Sequence, residues 1–491
     1  MSEQLRPSGS PVRVGSITLS TPGLEGTATA YPASAAGARG PAAELTSNAL
    51  EAALDDANVR TLETVEIQRP REVPTGSAGS RGTALGEPAI VVEAPDPGEG
   101  WGQVVLYADE AGVVRWSFAR DDRGSIDAMR GRATRTYLVP RQVQVAPADG
   151  GSRGILTAAG RKLLKLLVFP VVDPVLGEVG DYFAGRWENA KRRNFVRRFT
   201  AGDYQARDAA EITDDEWRKL AEGRALMFVH GTNSQAHTAF ASLPSSFLQW
   251  VAETYQGRVF AFDHFTLSDD PRRNVERLLD AIPDDVRLNV DIICHSRGGL
   301  VSRVLAEKQA EIRPGEAKVA VHKVVFVATP NSGTVLADVG RLPDFLDAHT
   351  NLLSFYPDEG VSLALEGLIT VVKVVAMGAK GMDGLASMSP QGEFLKWLNV
   401  GEPEDTSYFA LAANFEPQDH PLAYFARDVL FDKIFGLDND LIVPTAGVYE
   451  VEGCSVFPIE DRHVFSGADG VHHSGFWVNP LALEKIKSWL G

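Results

Sequence analysis

The chain has only two cysteines in 491 residues, Cys294 and Cys454. At most one disulfide can form, so a disulfide framework does not hold a chain of this length together. Zinc-type Cys/His spacing is missing too, and neither a metal nor a cofactor is expected. Long hydrophobic runs are scarce: the two longest, residues 163–172 and 368–377, fall short of the roughly 20 residues that a bilayer span requires. The first residues, Met1-Ser-Glu-Gln-Leu-Arg-Pro7, lack the apolar core of a secretory signal, so the chain reads as cytoplasmic, with export by a signal-less route left open. Basic charge is in deficit, with 48 Lys and Arg against 65 Asp and Glu and a net charge of −17. Binding a phosphate backbone needs a basic face, so no nucleic acid partner is expected. No internal repeat is present.

What is there suits a globular protein of two or three domains: 44% of residues are hydrophobic and 23% charged. Residues 1–150 are rich in Gly, Pro, Ala, Ser and Thr, with short strand-like runs at 89–93, 103–108, 113–118 and 137–145. Residues 104–107 and 113–116 flank a turn at 109–112 and read as a hairpin. Residues 51–59 fit a short helix, and 74–86 a loop. This region is expected to be a small β-rich domain of unassigned role.

Residues 151–222 read as a helical connecting segment. The apolar run 163–172 is interrupted by Pro170, and the stretch 187–199 carries Lys191, Arg192, Arg193, Arg197 and Arg198. One reading is a peripheral membrane contact through 163–198. The other is a solvated helix face, the commoner fate of charge runs.

From 223 to 491 apolar runs alternate with helical patterns. The runs at 225–229, 258–262, 290–294, 323–328 and 408–412 suit buried parallel strands. The stretches 245–255, 271–281 and 299–310 suit the helices between them, giving an α/β domain with a mostly parallel central sheet.

Ser296 lies between the strand-like run ending at Cys294 and a helical run opening at Gly298-Gly299. A serine on a sharp strand-to-helix turn projects Oγ from a strained backbone, and its neighbour's N–H can donate to an oxyanion. The pattern is Cys294-x-Ser296-x-Gly298, with cysteine where G-x-S-x-G begins with glycine. The run 225–229 leads into His230-Gly231-Thr232-Asn233, where Gly231 lets backbone N–H groups approach a reacting carbonyl. Thr232 and Arg297 are the candidate oxyanion donors.

With the chain order Ser, acid, His, candidates must follow Ser296. Asp440, directly before Leu-Ile-Val-Pro444, is the preferred acid and Asp438 the alternate. His349 and His420 precede Asp440, and His463 sits in a strand-like run. His472 and His473 share a loop before a closing helix at 480–490; His473 is preferred as the base and His472 kept as alternate.

These pieces together resemble the bacterial lipase-like α/β-hydrolases, near the triacylglycerol lipases, over residues 223–491. Phe228-Val-His-Gly-Thr-Asn233 resembles their His-Gly strand, and Cys294-His-Ser-Arg-Gly-Gly299 their His-Ser-x-Gly-Gly elbow. Val327-Ala-Thr-Pro-Asn-Ser-Gly-Thr334 is similar to a "TPHxGT" strand end, Asn439-Asp440-x-x-Val443-Pro444 to an "NDGxVP" turn, and His473-Ser474 to an "HxxL" loop. Cys294, Asn331 and Leu441 depart from the respective Gly, His and Gly. The resemblance implies an α/β-hydrolase with a helical cap inserted at about 335–405 and a Ser296–His473–Asp440 triad. The implied reaction is hydrolysis of carboxylic esters of lipase, esterase or phospholipase type, with a hydrophobic ester or lipid as substrate. Acyl transfer, thioester cleavage and amide cleavage use the same triad. A third reading makes the N-terminal region a binding or regulatory module with the hydrolase as its effector.

Overall fold

The computed structural model describes residues 2–32, 47–74, 88–120, 134–142, 160–171, 179–315, 317–353, 358–377, 382–400, 406–416, 437–451 and 457–491. They fall into two compact units. The first takes the described residues up to 171 and those between 346 and 377. The second takes 179–345 and the described residues from 382 onward. Cys454 and most of the stretch 74–86 lie outside the described residues.

The first unit holds two antiparallel sheets. One orders β1 (Ser2–Gln4), β4 (Leu24–Pro32), β5 (Arg60–Glu72), β10 (Arg161–Pro170), β7 (Trp101–Ala108) and β8 (Val114–Ser117). The other orders β2 (Val12–Val14), β3 (Ile17–Ser20), β6 (Ala89–Pro95) and β9 (Thr134–Pro140). Alternating side chains of both sheets, among them Leu19, Ile67, Val92, Val105, Val139 and Leu164, share one core. The hairpin expected around 109–112 is β7–β8: Asp109 Oδ1 closes its turn by accepting the N–H groups of Ala111 and Val113, both at 2.9 Å. A short helix, Asn48–Asp56, is capped by Ser47.

Two expectations fail in this unit. The connector 151–222 is not uniformly helical, because its apolar run forms β10, flanked by β5 and β7 with residues 162–169 buried. An apolar run of ten residues fits a buried strand as well as a buried helix, and only its neighbours decide. The charged residues within it are consumed internally. Lys162 donates to Tyr107 Oη at 2.8 Å and to the Gln142 carbonyl at 2.6 Å, and Lys165 donates to Glu51 at 2.6 Å. Within 163–198, the part that forms this strand is enclosed by β5 and β7.

The insertion at 335–405 is likewise not one cap. Its long apolar helix, Asp358–Ala376, packs in the first unit against helix Asn48–Asp56 and β7. Residues of the preceding helix, Leu342–Leu352, cover the edge of that unit's larger sheet. Asp347 accepts the Trp116 N–H at 2.7 Å, and Asn351 accepts from and donates to the Val114 backbone at 2.9 and 2.7 Å. An edge strand covered in this way cannot pair with another chain. Residues 382–400 remain with the second unit.

The second unit is built on seven strands: β11 (Phe195–Arg198), β12 (Arg224–Val229), β13 (Val259–Asp263), β14 (Leu288–His295), β15 (Val319–Val327), β16 (Ser407–Ala413) and β17 (Ile459–Phe465). Their spatial order is β11-β13-β12-β14-β15-β16-β17, parallel throughout except for β11, which runs antiparallel to β13. From β12 the chain first moves outward to β13 and then crosses back to β14. That reversal opens a crevice at the carboxyl ends of β12 and β14, the usual ligand position in open α/β sheets. Helices Ser245–Thr254, Pro271–Ala281 and Gly298–Glu307 lie where the sequence placed them, and Asn479 caps the closing helix Pro480–Leu490. His463 lies on β17.

Candidate active site

Ser296 stands between His295, the last residue of β14, and helix Gly298–Glu307, at the crevice just described. Its φ is +52°, a left-handed conformation costly for any residue but glycine. The turn is held by the Ser296 N–H, which donates to the Val327 carbonyl on β15 at 2.9 Å. Gly298 is required by contact: a Cβ there would stand 2.4 Å from the Val229 carbonyl oxygen and 2.5 Å from that of His230. Cys294, two residues before Ser296, is fully buried and donates to the Val325 carbonyl at 3.3 Å. Burial pushes its thiol up to about 12, so it fills space as a small apolar residue.

Asp440 lies in the turn before Pro444. Its Oδ1 accepts the N–H groups of Ile442 at 3.0 Å and Val443 at 2.8 Å, and its Oδ2 lies 2.9 Å from His473 Nδ1. The His473 N–H also donates to the Asp440 carbonyl at 3.0 Å, so ring and backbone are both tied to the acid. His473 Nε2 is 3.0 Å from Ser296 Oγ. All three residues are buried. The alternates stand elsewhere. His472 Nδ1 accepts the Ser474 N–H at 3.3 Å, and its ring meets Phe415 edge-on; Asp438 is exposed. Leu441, which stands where the resembled turn has glycine, takes a φ of +87°. The turn is thus retained at a cost in strain.

Gly231 packs directly on the serine, since a Cβ there would come within 2.7 Å of Ser296 Cβ. Thr232 follows, its Oγ1 3.6 Å from Met388 Sδ. Among the described residues, neither the Thr232 nor the Arg297 backbone N–H donates to a protein acceptor. In the chain, one of these N–H groups follows the Gly231 that packs on Ser296 and the other follows Ser296 itself.

Several side chains here have partners that the sequence does not reveal. His295 Nε2 lies 2.9 Å from the His473 carbonyl, and burial pushes this imidazole down to about 3, so it is a neutral donor supporting the His473 backbone. The Arg297 side chain, fully buried, donates to the Gly384 carbonyl at 2.8 Å, to Asn274 at 3.0 Å and to the Asp269 carbonyl. Burial lowers it to about 10, which leaves it charged. Glu188, on helix Val179–Lys191, accepts the backbone N–H groups of Thr266, Leu267 and Ser268 at 2.6, 3.0 and 3.0 Å. Arg192 donates to the Ser234 carbonyl at 2.9 Å and to Asn233 at 2.8 Å. Arg192 and Arg197 of the basic cluster are therefore buried in the second unit.

No curated protein matches the chain. Among solved structures, lipase 1 from Pelosinus fermentans is 13% identical with a TM-score of 0.37, covering 54% of this chain and 98% of its own. Staphylococcus hyicus lipase is 13% identical with a TM-score of 0.33, covering 54% and 94%. Residues 191–491, more than half of the chain, match the family described as Domain of unknown function (DUF7379), and the chain belongs to that family.

Proposed function

We propose that the second unit is a serine hydrolase of the α/β-hydrolase type that cleaves carboxylic esters through an acyl-enzyme. The observation carrying this reading is the continuous relay from Ser296 Oγ to His473 Nε2 at 3.0 Å and from His473 Nδ1 to Asp440 Oδ2 at 2.9 Å. It starts from a serine in strained left-handed backbone at the carboxyl edge of a parallel sheet. Each bond suits its role. Asp440, holding two backbone N–H groups on Oδ1, presents Oδ2 to Nδ1 and fixes the tautomer that leaves Nε2 free to accept.

As Ser296 Oγ bonds to the acyl carbon, its proton passes to His473 Nε2. The carbonyl oxygen becomes an oxyanion that accepts from the Thr232 and Arg297 N–H groups. The C–O bond to the leaving alcohol breaks, and His473 returns the proton to that alcohol. Water then repeats the sequence and releases the acid.

The test is covalent labelling with a fluorophosphonate probe. Wild-type protein is expected to label at Ser296, and Ser296→Ala to lose labelling while its thermal unfolding stays cooperative. Equal labelling of both proteins overturns the assignment.

A further inference from the structure

The turn after β12 contains a second hydrogen-bonded assembly. His230 is wholly buried, and its Nε2 lies 3.1 Å from the His264 backbone nitrogen. A backbone N–H can only donate, so Nε2 accepts. The neutral ring then carries its proton on Nδ1, which lies 3.0 Å from the Gly231 carbonyl oxygen. Burial pushes His230 down to about 3 and keeps it in that neutral form. Asp263 Oδ1 is 3.6 Å from Nε2, too far for a hydrogen bond, and no ion pair forms with a neutral ring. The same Gly231 carbonyl accepts a second bond, from Ser234 Oγ at 2.9 Å. Around it the loop is pinned: the Asn233 N–H donates to Thr266 Oγ1 at 3.0 Å, and Arg192 holds the Ser234 carbonyl.

We propose that His230 and Ser234 are positioning residues that set the Thr232 N–H as an oxyanion donor through the Gly231–Thr232 peptide; the inference rests on the hydrolase reading above. In a trans peptide the C=O and the following N–H point in opposite directions in one plane. Two donors fixing the Gly231 oxygen therefore fix the Thr232 hydrogen on the opposite side. They also polarise the amide, which strengthens its N–H as a donor. Gly231 lies against Ser296 Cβ, so the plane being fixed is the one beside the nucleophile. The effect belongs to the transition state, because the negative charge exists only there.

The experiment is steady-state hydrolysis of p-nitrophenyl butyrate, with rates expressed per site titrated to completion by fluorophosphonate, and binding of an alkyl trifluoromethyl ketone that forms a tetrahedral adduct. For His230→Ala, kcat is expected to fall about 100-fold with KM within about threefold, and ketone affinity to weaken in parallel. Ser234→Ala is expected to lose about tenfold in kcat. His230→Asn, whose amide nitrogen reaches the Nδ1 position, is expected to recover at least about tenfold over His230→Ala. A merely structural role lowers the titratable fraction and leaves kcat per site unchanged. Should His230→Ala fail to fold, Ser234→Ala decides. An unchanged kcat per site in the variants that fold overturns the proposal while Ser296 labelling stands. Continued labelling of Ser296→Ala instead removes the hydrolase reading beneath it.

Discussion

Replacing Asp440 with Asn keeps the shape of the side chain and reverses one hydrogen bond. In the native turn all three partners of the carboxylate are donors: the N–H groups of Ile442 and Val443 on Oδ1, and His473 Nδ1 on Oδ2. Asn has one acceptor oxygen and one NH2. Facing the oxygen toward Ile442 and Val443 preserves two bonds. Facing it toward His473 preserves one and sets an NH2 against two N–H groups in a buried turn. The first orientation wins by more than the worth of one hydrogen bond, since an unmade buried bond costs about 1–3 kcal/mol. The NH2 then donates to Nδ1, which forces the His473 proton onto Nε2. In that tautomer the ring donates to Ser296 and cannot take its proton. The expected loss in kcat is about 10⁴-fold, or about 5.5 kcal/mol of barrier, at nearly unchanged stability. Asp440→Ala abandons the turn bonds as well, so it is expected to be inactive and also less stable. The assay is p-nitrophenyl ester turnover beside thermal unfolding. An Asn variant within tenfold of wild type would refute the reasoning, because the tautomer argument leaves no base.

Glu188→Gln places an NH2 against at least one of the backbone N–H groups that the carboxylate accepts, and is expected to cost about 2–4 kcal/mol; a shift in urea midpoint worth under 0.5 kcal/mol, with that figure set by the scatter of about ±0.5 kcal/mol usual for surface changes, would count against it. His295 sits at about 3 in the folded chain and near 6.5 unfolded. The unfolded state therefore binds more protons between those values, and stability falls as pH drops below 6.5. The raised carboxyl of Asp263, at about 6, works in the opposite sense, so the comparison is between proteins. On moving from pH 7.5 to 5, His295→Asn is expected to lose about 2 kcal/mol less than wild type. Equal losses by denaturant titration would refute the burial argument.

Much of the second unit was legible because its signals are local. Five apolar runs matched β12–β16 within a few residues, and the elbow, the acid turn and the closing helix each announce themselves within ten residues. The segment before them was opaque for a physical reason. β11 is four residues long and ends in two arginines. It is a strand because Asp263 and Phe262, more than 60 residues later, pair with Phe195 and Val196. No window of sequence contains those partners. The side-chain partners of His230, His295 and Glu188 are hidden similarly: each acts on a backbone group whose position only the folded chain defines. The long helix Asp358–Ala376 was recognised as apolar but assigned to the wrong neighbour, since hydrophobicity reveals that a face is buried and not against what.

That helix leaves the first unit discontinuous in sequence, and this has a consequence for the order in which the protein folds. Synthesis delivers strands β1–β10 by residue 170, yet the helices that cover the β8 edge and pack on helix Asn48–Asp56 follow only after β12–β15 have emerged. At about 5–20 residues per second the wait is roughly 10–40 s. Throughout it the first unit holds an uncovered sheet edge and an exposed apolar face. A chain ending at residue 222 would keep both permanently. Such a fragment is expected to aggregate or recruit chaperones, so anything it captures would reflect that vacancy rather than a native partner.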